Sequence, residues 1–313
     1  MPDDTTPITP ISTETGMWFV GQLATNGDAR YVKGFIINGN QYAFLADSQN
    51  GLQIIDITNA SSPSLKATYK TFGNVKEVYI DSINGNKYAF VSDVTKGLFI
   101  LNINNLSQPV LDTLITYPGV NSIKSKNGYL LTALLQNSVK IININSLPDS
   151  VYEVSSYIPK NTVEHIEISG NYAYFIERVT GIEIVDLTIL QSLTFLSTFK
   201  TSGSGYDLKI ADNLAYIADG NSGVCVINIS DPSRPYFINQ TNTNSDVRGI
   251  DFSPNFMFTA EYNSGAEVFN LFNPTAPESF GYFEPDGNCF SVHYFKGKVL
   301  IANGQYGLLI LRF

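Results

Sequence analysis

The chain has 313 residues, of which 43% are hydrophobic and only 15% charged, with 18 Tyr and 20 Phe favouring strands over helices. Its formal net charge of −9 excludes nonspecific attraction to a phosphate backbone, so neither nucleic acid nor an anionic lipid surface is expected as a partner. No run approaches the roughly 18 apolar residues of a membrane span, so no direct membrane insertion is expected.

Residues 1–16 (MPDDTTPITPISTETG) are rich in Thr and Pro and show no apolar periodicity. They read as a flexible polar tail ahead of a single domain over residues 17–313. Met1-Pro2-Asp3-Asp4 is acidic and lacks an apolar h-region, so a leader, if one is used, is expected upstream of Met1.

Next comes Phe19-Val-Gly-Gln-Leu-Ala-Thr-Asn-Gly27, and then the phrase Tyr42-Ala-Phe-Leu-Ala-Asp47 followed by Gly51-Leu-Gln-Ile-Ile-Asp56. That phrase recurs as YAFVSD…GLFILN, YLLTAL…SVKIIN, YAYFIE…GIEIVD, LAYIAD…GVCVIN, FMFTAE…GAEVFN and KVLIAN…GLLILR. Its anchor glycine stands at 51, 97, 181, 223, 265 and 307, with Ser138 in the third copy. Seven copies at about 42 residues match the period of a propeller blade.

Each copy resolves into four strand signals. A first strand turns at Asn38-Gly39, Asn84-Gly85, Asn127-Gly128 or Ser169-Gly170 into the second; Asn-Gly suits a two-residue hairpin because both central residues need positive φ. The second and third strands are largely apolar, as inner strands packed on two faces should be. A Pro-bearing loop then leads to a more polar, outermost fourth strand. The last copy ends at Phe313, just after its third strand. Phe19–Gly27 aligns without gaps to the fourth strands starting at Leu65 and Phe195. The expected fold is therefore all-β: a seven-bladed β-propeller with four antiparallel strands per blade, closed when the N-terminal strand completes the last blade.

The third-strand phrases Leu52-Gln-Ile-Ile-Asp56, Ile182-Glu-Ile-Val-Asp186 and Val224-Cys-Val-Ile-Asn228 resemble the LVIVD repeat of bacterial and archaeal propeller proteins. The resemblance spans residues 17–313, and it implies a secreted, periplasmic or cell-surface protein. Copies ending in Asn, or in Arg312, depart from the motif.

Two acidic columns run through the copies. Asp47, Asp93, Glu177, Asp219 and Glu261 end second strands, with Leu134 and Asn303 in the other copies. Repetition at one position favours acceptors of turn N–H groups over a sevenfold metal or catalytic site. The second column mixes Asp56 and Asp186 with Asn102, Asn143, Asn228 and Asn270, which suits an acceptor and not a charge. Cys225 and Cys289 fall at different repeat positions, so no disulfide is expected.

Positions that vary among the copies carry the functional reading. The pairs expected at the channel mouth are Lys33-Gly34, Lys76-Glu77, Asn121-Ser122, Glu164-His165, Tyr206-Asp207, Arg248-Gly249 and Phe290-Ser291. From them Lys33, Lys76, Glu77, Asn121, Glu164, His165, Tyr206, Asp207, Arg248 and Phe290 are the candidate binding residues. His293 lies two residues further along its strand. No catalytic residue, metal ligand or cofactor is assigned, since there is no G-x-S-x-G signal and the mouth mixes cations with carboxylates. The expected function is a monomeric, non-catalytic scaffold binding a protein or carbohydrate, with Tyr117, Tyr206, Tyr262, Phe290 and Tyr306 as aromatic contacts. The alternative is a calcium-assisted hydrolase or lyase using Glu77, Asn121 and Asp207; an architectural cassette is a third option.

Overall fold

A computed structural model describes residues 16–313; the tail expected over 1–16 lies, but for Gly16, outside them. Among the described residues the strands β1–β28 form seven four-stranded antiparallel sheets and no helix. The first strands of the blades are β2 (Tyr31–Ile37), β6 (Val75–Ile83), β10 (Val120–Lys126), β14 (Val163–Ser169), β18 (Asp207–Ala211), β22 (Val247–Ser253) and β26 (Ser291–Phe295). Each neighbours the next, and β26 neighbours β2, which closes a ring around a central channel.

Closure follows the expected route. β1 (Trp18–Leu23) pairs with β28 (Leu308–Arg312) and completes the sheet β1-β28-β27-β26, where β27 is Lys298–Ala302. In every blade the third and fourth strands slip by one residue at the same place: Leu65 faces Ile55 and Ala67 faces Ile54, just as Phe19 faces Leu311 and Gly21 faces Ile310. A bulge of this kind increases twist on the outermost strand and spoils it as a pairing template. Its recurrence at Phe19–Gly21 identifies β1 as a fourth strand residue for residue.

The core is divided into seven clusters, one between each pair of adjacent blades. Phe44, Ala46 and Leu52 pack against Val75 and Val91 on one side of blade 1, while Ala43 and Leu45 pack against Leu300 and Ile310 on the other. Successive side chains of one strand thus serve two interfaces, so the second and third strands read as unbroken apolar runs. Phe44, Phe90, Phe175 and Phe258 are fully buried, each contributing about 1.5–3 kcal/mol relative to exposure. Cys225 and Cys289 are free and buried in separate interfaces.

The turns refine the sequence reading in two places. Asn38-Gly39, Asn84-Gly85 and Asn127-Gly128 have positive φ at both residues, as a type I′ turn requires. In blade 4, however, Ser169 pairs with Tyr172, so the turn is Gly170-Asn171 and not Ser169-Gly170. The anchor glycine also has a steric role: a Cβ on Gly51 would sit 2.2 Å from the carbonyl oxygen of Tyr69, and its φ is +84°. The third copy manages Ser138 because Asn137, a residue tolerant of this region, takes the positive φ one position earlier.

The first acidic column ties loops to blades. Asp93 accepts the N–H groups of Asn74, Thr95 and Lys96, Glu177 that of Asn161, Asp219 that of Gly203 and Glu261 that of Asn244. In most copies the donor is in the incoming loop rather than the turn itself. In the second column Asp56, Asn102, Asn143, Asp186 and Asn228 each accept the N–H two residues on, and an amide does this as well as a carboxylate.

Candidate functional site

Loops entering the first strands and loops leaving the second strands meet at one end of the channel, where Val75 N–H donates to Ser48 O and Val247 N–H to Gly220 O. They surround a cavity of about 370 Å³, at the lower end of the roughly 300–1,000 Å³ typical of small-ligand pockets.

Strand register sorts the channel residues into tiers. Glu77 faces Ser92, His165 faces Ile176, Asp207 faces Ala218 and Ser291 faces Ala302, each partner lying just before the acidic-column position. In blade 1 the residue at this level is Tyr31, which faces Ala46. Lys33 faces Phe44, two residues deeper, so Arg30 and Tyr31 occupy the mouth where Lys33-Gly34 was expected. The cause is hairpin length: from the Asn-Gly turn, five residues lead back to Lys33 in blade 1 and to Ser122 in blade 3. Yet the blade 1 strands run two residues further beyond the mouth level before turning. Lys76, Glu77, Glu164, His165, Tyr206, Asp207, Arg248 and Phe290 all line the cavity. Asn121 does not; its amide donates to Val163 O at 2.7 Å.

The rim is a ladder of guanidinium groups and aromatic rings running from blade 4 round to blade 1. Arg178 lies 5.0 Å and Arg248 4.8 Å from the ring centre of Tyr206. Arg248 also stands 4.0 Å over Tyr262, whose ring meets Phe290 edge to face, and Arg30 stands 4.0 Å over Phe290. Such contacts each contribute about 0.5–2 kcal/mol. Asp246 holds Arg248 through Nε at 2.8 Å and Nη2 at 2.6 Å, and Asp28 holds Arg30. The remaining rim is bridged by Lys76, whose amine donates to Asn121 and, at 2.9 Å, to Glu164. Arg178 adds a contact to Glu164 at 3.4 Å. Burial opposes ionisation of Glu164, but Lys76 and then Arg178 outweigh it and hold the carboxyl below its usual range. Tyr117, Tyr262 and Tyr306 do not line the cavity; Tyr262 lies beneath Arg248, and Tyr117 donates to Glu153 at 2.5 Å.

At the floor, His165 Nε2 lies 3.2 Å from Asp207 Oδ1 and 3.9 Å from Glu167 Oε2. Neither contact has hydrogen-bond geometry, and Nε2 has no hydrogen-bond partner among the described residues. Asp207 is well served: Leu208 N–H and Lys209 Nζ meet Oδ1, and Ile250 N–H reaches Oδ2 from the next blade. Below lies a third tier that the sequence reading did not recognise as one, although it named two of its residues, Lys33 as a mouth candidate and His293. Lys33, Tyr79, Lys124, Glu167, Lys209, Asp251 and His293 share one register in the seven first strands. Glu167 takes Lys124 at 3.2 Å and Lys209 at 3.6 Å; against the cost of burial, these two lysines and then His165 hold it well below the usual carboxylate range. Asp251 accepts from Tyr294 N–H and pairs with His293 Nδ1 at 2.7 Å. Burial pushes the Lys33 amine down to about 8, Asp251 only partly offsetting it. The signal for this tier was a polar residue two positions beyond the floor residue in every first strand. Arg178, reached through a loop, had no such signal.

The LVIVD repeat model matches residues 27–71, 74–115, 162–201 and 202–243, more than half of the chain. The chain belongs to the LVIVD repeat family. The matched segments are blades 1, 2, 4 and 5 of this LVIVD propeller. No curated protein matches the chain. Among solved structures it is similar to the WD40 beta propeller domain of Doa1, with a TM-score of 0.72 and 13% identity over 95% of this chain and 97% of that one. It is also similar to the computationally designed Ika8 protein, with a TM-score of 0.65 and 10% identity over 95% of this chain and all of that one. At such identities the likeness is one of fold alone. Among the described residues, no group of three or more His, Cys, Asp or Glu side chains is placed to hold a metal ion.

Proposed function

We propose that this LVIVD propeller is a non-catalytic binding module that holds a protein or glycan ligand at the channel mouth. The observation that carries the reading is the mouth cavity of about 370 Å³, whose walls break the sevenfold repeat. A scaffold repeated seven times supplies rigid strands, and the only expense of diversifying their mouth-facing ends is local. The result is a rim ordered by guanidinium–aromatic stacking and ion pairs rather than by mobile side chains. Pre-ordering of this kind lowers the entropy lost when a partner docks. A setting outside the cytoplasm, at the cell surface or secreted, belongs to the same proposal and follows the family resemblance.

Arrays of peptides and glycans probed with the purified chain test the reading. Arg248→Ala removes the central, half-buried rung of the ladder and is expected to weaken mouth-dependent binding by about tenfold or more, as loss of an interface hot spot does. Phe237→Ala on the exposed outer face is expected to leave binding unchanged. Absence of any bound probe, or binding that Arg248→Ala leaves intact, overturns the proposal.

A further inference from the structure

Glu77 stands apart from every other charge at the mouth. It is 3% exposed, it lines the cavity, and its Oε1 is buried with no hydrogen-bond partner among the described residues. The cations lining the same cavity are all committed elsewhere: Arg30 to Asp28, Lys76 and Arg178 to Glu164, Arg248 to Asp246. The other carboxylates there are met from within the fold, Glu164 by Lys76 and Asp207 by Lys209 and two N–H groups. Among the described residues Glu77 alone in this cavity has no counter-charge. A buried unpaired carboxylate is costly, and that cost is recovered when a ligand brings the missing partner.

We propose that Glu77 is the counter-ion for a cationic nitrogen group of the ligand, a basic side chain of a bound polypeptide entering the mouth. The inference rests on the binding reading above and names its ligand chemistry. Two features favour it. The rim aromatics have guanidinium groups stacked against them, so they do not form the open cage that a quaternary ammonium uses. The net charge of −9 draws cations toward the molecule and repels acidic ligands.

Titration of the full chain with short peptides differing at one position tests this, using lysine, arginine, norleucine and glutamate there, with cadaverine as a free amine. Lysine or arginine peptides are expected to bind about tenfold more tightly than the norleucine peptide, the usual advantage of a hydrogen bond to a charged group. Glu77→Gln is expected to abolish that difference. Cadaverine equalling the peptides would assign the site to small amines with Glu77 still the counter-ion. Without ligand, Glu77→Gln is expected to melt at a higher temperature, because it removes an uncompensated charge. Failure of every basic probe to bind, or an unchanged or lower melting temperature for Glu77→Gln, overturns the proposal. Array ligands that need Arg248 but ignore Glu77→Gln would overturn it too while leaving the binding reading intact.

Discussion

At the scale of single residues, repeated carboxylates serve the scaffold and unrepeated ones shape the mouth; burial raises Asp47, Glu177, Asp219 and Glu261 of the repeated column, Glu261 the furthest. Burial, with Glu267 beside it, pushes the Glu261 carboxyl up to about 8. The folded chain therefore keeps a proton there up to about pH 8, whereas the unfolded chain releases it near the ordinary value of 4.5. Between these values the folded state binds the extra proton, so this group's contribution is complete below about 4.5 and is lost as pH rises through about 8. His293, whose pKa burial lowers from 6.5, acts in the opposite sense and costs stability on acidification, so the comparison must be against a variant. Urea midpoints measured from pH 5 to 8.5 are expected to fall more steeply for the wild type than for Glu261→Gln. Parallel curves would contradict a protonated Glu261. Residues of this column were legible in the sequence because they repeat. Glu77 was legible only as one member of a varying pair, since its lack of a partner depends on Lys76 reaching across to Glu164, 88 positions away.

At the scale of elements, hairpins and blades were legible because their signals are local. Asn-Gly turns, apolar runs and the anchor glycine each act within a few residues. Where local distance was used as a proxy for depth, it failed: Lys33 was placed at the mouth, but the longer blade 1 hairpin sets it one tier down. In blade 4 the turn sits one residue on, at Gly170-Asn171, where Gly170 alone takes the positive φ. β1 was legible by alignment to the other fourth strands, and the shared bulge gives that alignment its physical meaning. Its role can be isolated by deleting it. A chain starting at Ala24 leaves β28 as an edge whose N–H and C=O groups have lost their partners, and exposes the otherwise covered Leu309 and Leu311. Such an edge recruits another strand. The shortened chain is expected to melt at a lower temperature and to self-associate, read by light scattering after size exclusion. A monodisperse monomer of unchanged stability would show that β1 is dispensable.

At the scale of the molecule, the ring explains why fold was far more readable than function. Fold is written seven times over, about every 42 residues, so a weak signal is averaged. The mouth is written once, in residues drawn from blades 1, 2 and 4 to 7, and only the closed ring brings them together. Closure also makes a thermodynamic prediction. An open repeat array is stabilised by nearest neighbours and can unravel from an end, whereas each blade here has two neighbours and no end. Damage to one interface should therefore be felt all round. The chain has a single tryptophan, Trp18, in the closing strand β1, while Phe175 lies fully buried in the interface of blades 3 and 4. Phe175→Ala should cost about 3–5 kcal/mol, as loss of a fully buried ring does. If the ring unfolds as one unit, Trp18 fluorescence and far-ultraviolet circular dichroism give coincident urea transitions in the wild type. In Phe175→Ala both then shift together to lower urea. If β1 instead detaches on its own, fluorescence changes first and is indifferent to Phe175→Ala. That outcome would mean the closing strand is a latch on an otherwise independent array, and that the channel mouth can loosen without the blades coming apart.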